Sequence, residues 1–398
     1  MTTRRCLPAL ALAMAALVAP GRAAAQEPPR PGTVSAAELK AAIDKLGDLD
    51  YPTRMNAART ARRAAPAQAV PALIQAVTEH ADGYVRFRAL VLLTGFNDPR
   101  TRDMMVELLG TPNDRLRQVV YRYFEHNPDP KMTGPLLAAL DKETDEFVRP
   151  ALVRALAAAA ANAPDPNVRE VLVREVGRGK DFFRSAVIEA LGDCHADYAL
   201  QAITAVANGE GPLVEDAALA LGKIGDKRAL ATLSALQRTA PPEAQPEIAA
   251  AICLLGVNCS THVQYLDRTL RFADKTIGFQ PLMRGAATGL GAVGVAGNAD
   301  AVGILFDVGI PSQDPARAPI ALALGAIGLR NPTLMLAVLE RRSDHEPAIA
   351  LLGEAFDMLE EDFEKERFFV TVRHAYWEAA EDSEARKVAG LLIQKLEF

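Results

Sequence analysis

The sequence holds few of the residues that mark a reaction centre. Its six histidines are scattered, and only His345 is followed by a Glu, at Glu346. A metal centre needs several imidazoles and carboxylates converging, and one such pair does not supply them. Four cysteines occur in the chain, and no two ligand pairs have the spacing of a zinc site. No Ser-His-Asp arrangement or paired-carboxylate context stands out. Basic residues are outnumbered, 44 Lys and Arg against 50 Asp and Glu, so nothing marks nucleic acid as a partner. Beyond the first 20 residues no apolar run approaches the ~20 residues that span a bilayer. Aromatic residues make up 6% of the chain although 49% is apolar, and Ala and Leu dominate that apolar set. Such a composition suits closely packed helices.

The beginning of the chain has its own pattern. MTTRRCLPALALAMAALVAPGRAAAQ combines Arg4 and Arg5, an apolar run from Leu7 to Ala19, and small residues ending at Ala25. That is the arrangement of a cleavable export signal, and the apolar run is too short for a membrane anchor. The reading places residues 1–26 in the signal, with cleavage after Ala25, and the mature chain in the periplasm or outside the cell.

One stretch imitates a phosphate loop. Residues 289–294 read GLGAVG, which fits the G-x-G-x-x-G pattern of dinucleotide-binding proteins. Related stretches argue otherwise: ALALGKIG ends at Gly225 and ALALGAIG at Gly328. Ala220 and Ala323 hold the place of the first glycine, so it is a small helical position and not a phosphate cradle. The Leu-Gly dyad recurs at 191/192, 221/222, 255/256, 290/291, 324/325 and 352/353, in steps of 30, 34, 35, 34 and 28 residues. A period of this size marks stacked repeats, each burying its apolar face against its neighbours.

One unit, LVEDAALALGKIGDKRALATLSALQ from Leu213 to Gln237, shows the design. Val214, Ala217, Ala218, Leu221 and Ile224 are spaced for one helix and Leu230, Leu233 and Leu236 for a second. Gly225 suits a left-handed helix end, and Asp226 suits the cap of the next helix. Earlier units keep the punctuation at Asp98-Pro99, Asp129-Pro130 and Asp165-Pro166, and Asn331-Pro332 repeats it later. Arg86, Arg117, Arg149 and Arg184 recur near first-helix starts, where they are expected to face outward. The predicted fold is all-α: a right-handed α-solenoid of stacked helical hairpins over 51–353, after a linker and capping helix at 27–50. Residues 354–398 carry 12 Asp or Glu against 6 Lys or Arg and are expected to form acidic capping helices.

The segments VEDAALALGKIGDKRALATLSAL and APIALALGAIGLRNPTLMLAVL resemble the HEAT-like repeats of the phycocyanobilin-lyase type, within the armadillo superfamily. The resemblance implies a fold shared by scaffolds, adaptors and a few enzymes, so it implies no single activity. On this reading the chain is an exported, non-enzymatic scaffold binding another macromolecule, a protein, on a curved surface lined by second helices, without a cofactor or metal. Gln264, Arg268 and Arg271 in THVQYLDRTLRF are the candidate contact residues, being polar and in helical register with Tyr265 and Leu266. The rival reading is a repeat-fold enzyme or metal-dependent module, related to di-iron hydroxylases or bilin lyases, using the Asp193–Asp197 turn (DCHAD) or His345-Glu346. Cys253 and Cys259 flank a predicted chain reversal and are disulfide candidates; the alternative is a small core residue beside a helix start.

Overall fold

The computed structural model describes residues 34–398 apart from 277 and 360, so the predicted export signal and part of the 27–50 linker lie outside the described residues. Among the described residues every regular element is an α-helix or a short 3-10 turn, and none is a strand. The capping helix Ala36–Asp44 opens on Ser35 and Glu38, whose side chains cap each other's backbone amides. Nine helix pairs follow, from Tyr51–Arg63 with Pro66–Glu79 to Arg317–Arg330 with Pro332–Arg341, and then three helices, His345–Met358, Asp362–Glu378 and Glu384–Lys395. The 353/354 boundary falls inside His345–Met358. GLGAVG lies within the helix Gln280–Val295.

The punctuation works by satisfying orphan backbone groups. Asp98, Asp129 and Asp165 accept from the amides of Arg100, Lys131 and Asn167 at 2.8–3.0 Å. Gly225 ends its helix at φ +77°, a conformation that costs glycine nothing. The arginines near first-helix starts do not simply face outward. Arg54, Arg117, Arg149, Arg184 and Arg317 turn back and donate to the carbonyls of Asp48, Thr111, Leu140, Val176 and Gly309, at 2.7–3.0 Å. Each closes the frayed end of the preceding element, where a cation also meets the negative end of a helix dipole. Arg117 and Arg149 hold Glu143 and Glu175 as well, at 2.8 and 2.6 Å.

From Gly83–Thr94 to His345–Met358, the first helix of each pair packs on the first helix of the next. Small residues make the approach possible. A Cβ on Gly192 would lie 2.9 Å from the Cα of Ala220, and one on Gly222 would lie 2.6 Å from the Cα of Ala251. In Arg149–Asn162 every residue from Ala151 to Ala160 is buried, Arg154 included. First helices far apart in the chain meet across the interior, Arg317–Arg330 reaching Asp181–Asp193 through Arg330 and Asp193, and Arg62 of Tyr51–Arg63 meeting Glu366, so the first helices line the inner side of the stack. The expectation of an inner face lined by second helices is therefore corrected. Its reason lies in volume, because the Gly and Ala residues sit on the first helices.

The two ends of the described helical array come together. Asp362–Glu378 packs on Gly83–Thr94, and Arg59 lies 3.8 Å from Glu397. The apolar interior forms two clusters, one running from Leu39 to Leu255 and the other from Leu219 to Phe398. Phe363 crosses between them, being buried in the first cluster although it belongs to the C-terminal segment.

Candidate functional site

The inner side carries buried and half-buried charge in two connected groups. In the first, Arg154 contacts Glu189 at 2.7 Å, Asp193 at 3.0 Å and Glu125 at 3.6 Å. Lys223 lies 2.8 Å from Asp193, and Arg330, 137 residues further along the chain than Asp193, closes on it at 2.9 Å and on Glu189 at 2.7 Å. Burial alone would raise the Asp193 pKa; Arg330 and Lys223 outweigh it and hold the carboxyl at about 2. Glu189 is likewise held well below the usual carboxylate range. These acids are therefore ionised and fully engaged, and they act as inner struts between distant units.

The second group joins the two ends of the helical array. Arg62 Nη2 meets Glu366 Oε2 at 2.7 Å, with both side chains almost wholly buried. Arg88 pairs with Asp362 at 2.5 Å, Arg122 with Glu361 at 3.2 Å and His126 with Glu364 at 2.7 Å. The rings of His126 and Phe363 stack at 5.7 Å. Glu125, His126 and Glu364 form the one trio of potential metal ligands with atoms within 4.8 Å among the described residues. Two of its members are already held by cations: Glu125 by Arg122 at 3.1 Å and Glu364 by Arg367 at 2.8 Å. The group reads as an ion-pair seam.

The turns between one unit and the next form an edge of different character. Phe147 and Phe182 are exposed there with ring centroids 6.1 Å apart, and Phe272 and Phe279 form a second pair at 5.0 Å. A cleft of about 490 Å³ opens beside the first pair between Val173–Arg184 and Ala202–Leu213. A second, of about 310 Å³, lies beside the other pair, lined by Ala273, Met283 and Pro311.

The residues singled out from sequence fall as follows. Gln264, Arg268 and Arg271 are exposed on the second helix Cys259–Lys275, on the outer side, and share a face with Phe272. Arg271 is steadied by Asp267 at 2.7 Å. The DCHAD turn does not gather its members: Asp193 points into the inner network, His195 Nδ1 meets the Lys223 carbonyl at 2.5 Å, and Asp197 is exposed. His345 Nδ1 lies 3.5 Å from Glu384 and Glu346 reaches Lys395 at 3.8 Å, so that pair diverges too. Cys253 and Cys259 are joined by a disulfide across the turn at Gly256. The inner network and the exposed aromatic pairs were missed from sequence. The aromatics had a signal, since Phe147, Phe182 and Phe279 each fall at a unit start where an apolar side chain lacks a helix face to bury.

Comparison with known proteins accords with this architecture. A family model described as HEAT repeats matches residues 39–119 and 70–157. Among solved structures, the complex of CpcE and CpcF of phycocyanin lyase from Nostoc sp. PCC7120 is 17% identical, with TM-score 0.33, over 85% of this chain and 100% of that one. Human deoxyhypusine hydroxylase is 20% identical, with TM-score 0.28, over 55% and 84%. Kap121p is 14% identical, with TM-score 0.33, over 90% and 40%. Likenesses at that level assign no function. No curated protein matches the chain.

Proposed function

The chain is a HEAT-like repeat protein, and we propose that it acts as an exported scaffold that binds a protein partner along the edge between its units. The observation that carries this reading is the exposure of Phe147, Phe182, Phe272 and Phe279 in two touching pairs, each beside a cleft. Aromatic side chains left in water are the usual anchors of a docking surface, because covering them removes a large apolar area at little entropic cost. Gln264, Arg268 and Arg271 beside Phe272 supply a polar rim on the same helix face. The reading assigns no catalytic role: Glu189, Asp193, Glu364 and Glu366 are held in ion pairs, and the sequence motifs considered for metal binding diverge.

Two measurements test it. Replacing Phe147 and Phe182 by Ser is expected to abolish capture of the partner from the exported fraction while leaving helicity unchanged; unaltered capture overturns the assigned edge. Elemental analysis of the purified mature chain is expected to find no stoichiometric iron or zinc, and finding either would sink a scaffold-only role. Amino-terminal sequencing of the exported protein checks cleavage after Ala25.

A further inference from the structure

We propose that the basic row on the inner side of the first three units is a docking groove for an acidic helix, and that the chain's own Glu361–Glu366 segment occupies it as a displaceable clasp. The row is built from three successive first helices. Tyr51–Arg63 supplies Arg62, Gly83–Thr94 supplies Arg88, and Asp114–His126 supplies Arg122 and His126. Facing it, EDFEKE places four carboxylates in six residues, and each meets one member of the row: Glu366 with Arg62, Asp362 with Arg88, Glu361 with Arg122 and Glu364 with His126. One apolar side chain, Phe363, anchors the segment by stacking on His126.

The kind of attraction is what makes this contact reversible. Between successive first helices, Ala, Leu and Gly pack against the same, and separating them would expose apolar surface to water even where ion pairs such as Arg154 with Glu189 lie alongside. The closing seam is made chiefly of ion pairs, and parting it returns both charges of each pair to water. That hydration offsets much of the lost attraction, and salt weakens what remains. The apolar face of the clasp helix, through Phe368 and Val372, stays with the C-terminal core, so the segment is carried by a folded body and does not need to unfold to leave. An open molecule presents three guanidinium groups and an imidazole in a row, with a slot for one aromatic ring. The partner that fits is a helix from another protein with acids at the first, second, fourth and sixth positions and an aromatic at the third. This surface is separate from the aromatic edge, so its failure leaves the edge untouched.

The test uses the full mature chain and a fluorescent peptide of residues 361–373. The wild type is expected to bind it weakly, because the groove is filled. The variant Glu361→Gln/Asp362→Asn/Glu364→Gln/Glu366→Gln is expected to bind at least tenfold tighter at low salt and to lose that gain when Arg88→Glu and Arg122→Glu are added. Equal binding by wild type and the four-site variant, or binding indifferent to Arg88→Glu/Arg122→Glu, overturns the proposal. A peptide with its four acids amidated should not bind, and binding by it also overturns the proposal. Should the four-site variant lose helicity, Arg122→Glu alone is expected to enlarge the radius of gyration in solution scattering and Glu361→Arg added to it to restore the compact value. An unchanged radius in Arg122→Glu, or no restoration, counts against the clasp.

Discussion

Glu247 brings a carboxyl group into surroundings that give its Oε2 no partner among the described residues. It lies in the first turn of Gln245–Leu254 and faces Gly285, where even a Cβ would come within 2.6 Å of that oxygen. Burial first, and then the nearby charges of Glu215 and Asp216, push its pKa up to about 8. The folded chain therefore holds this proton at neutral pH while the unfolded chain, near the ordinary Glu value, has released it. Stability must fall as pH rises from the unfolded toward the folded pKa, by up to ~1.4 kcal/mol per unit, and the penalty is complete above the folded value. Glu247→Gln removes the titration and keeps the shape. It should flatten the fall in melting temperature between pH 5 and 8, read by circular dichroism; an unchanged slope would show that another group sets it. Nothing in QPEIAAAI distinguishes this Glu from an ordinary first-turn acid, since the residue that confines it comes 38 positions later.

At the scale of the element, the Leu-Gly dyad was legible as a period and not as a device. Sequence alignment within the chain showed a small helical position, and the structure supplies the cause: Gly222 and Gly192 let neighbouring first helices approach backbone to backbone. Gly303, by contrast, sits in Ala299–Gly309 with nothing within 4 Å of where its Cβ would be. The two sites should respond to the same substitution with opposite signs. Gly303→Ala gains helix propensity and is expected to stabilise by about 1 kcal/mol. Gly222→Ala gains the same propensity but presses on the Ala251 backbone, and overpacking of ~1–3 kcal/mol should win. Urea titration of both variants checks this, and equal signs would mean the inner seam yields more readily than its contacts imply. The helix starts were the most legible feature, because Asp-Pro and Asn-Pro act within three residues of themselves. The arginines that follow them were half legible: their recurrence was plain, but their targets are carbonyls of the preceding element and leave no mark in sequence.

For the whole molecule, the C-terminal segment was expected to be a polar cover over one end. It is also the contact that joins the two ends of the helical array, through pairs far apart in the chain such as Arg62 with Glu366, 304 residues apart. A repeat of about thirty residues shows which units are neighbours in sequence but does not show how fast the stack curves, because small packing differences between units accumulate. Removing Glu361–Phe398 should therefore damage both ends. It leaves Arg62 without its carboxylate and uncovers the Leu352 side of the last unit, so lower solubility and lost helicity are expected, with new hydrogen exchange in Tyr51–Arg63 as well as in His345–Met358. Protection changes confined to His345–Met358 would show that the join is incidental. Closure also changes the statistics of unfolding. A linear array behaves as a row of coupled units in which the first and last have a single neighbour and melt first. When the row is bent until its ends touch, that boundary is replaced by a periodic one, and the terminal units gain a second coupling. Amides of Tyr51–Arg63 should then exchange about as slowly as those of Val214–Ile224, and the molecule should lose its structure in one transition instead of peeling from its ends.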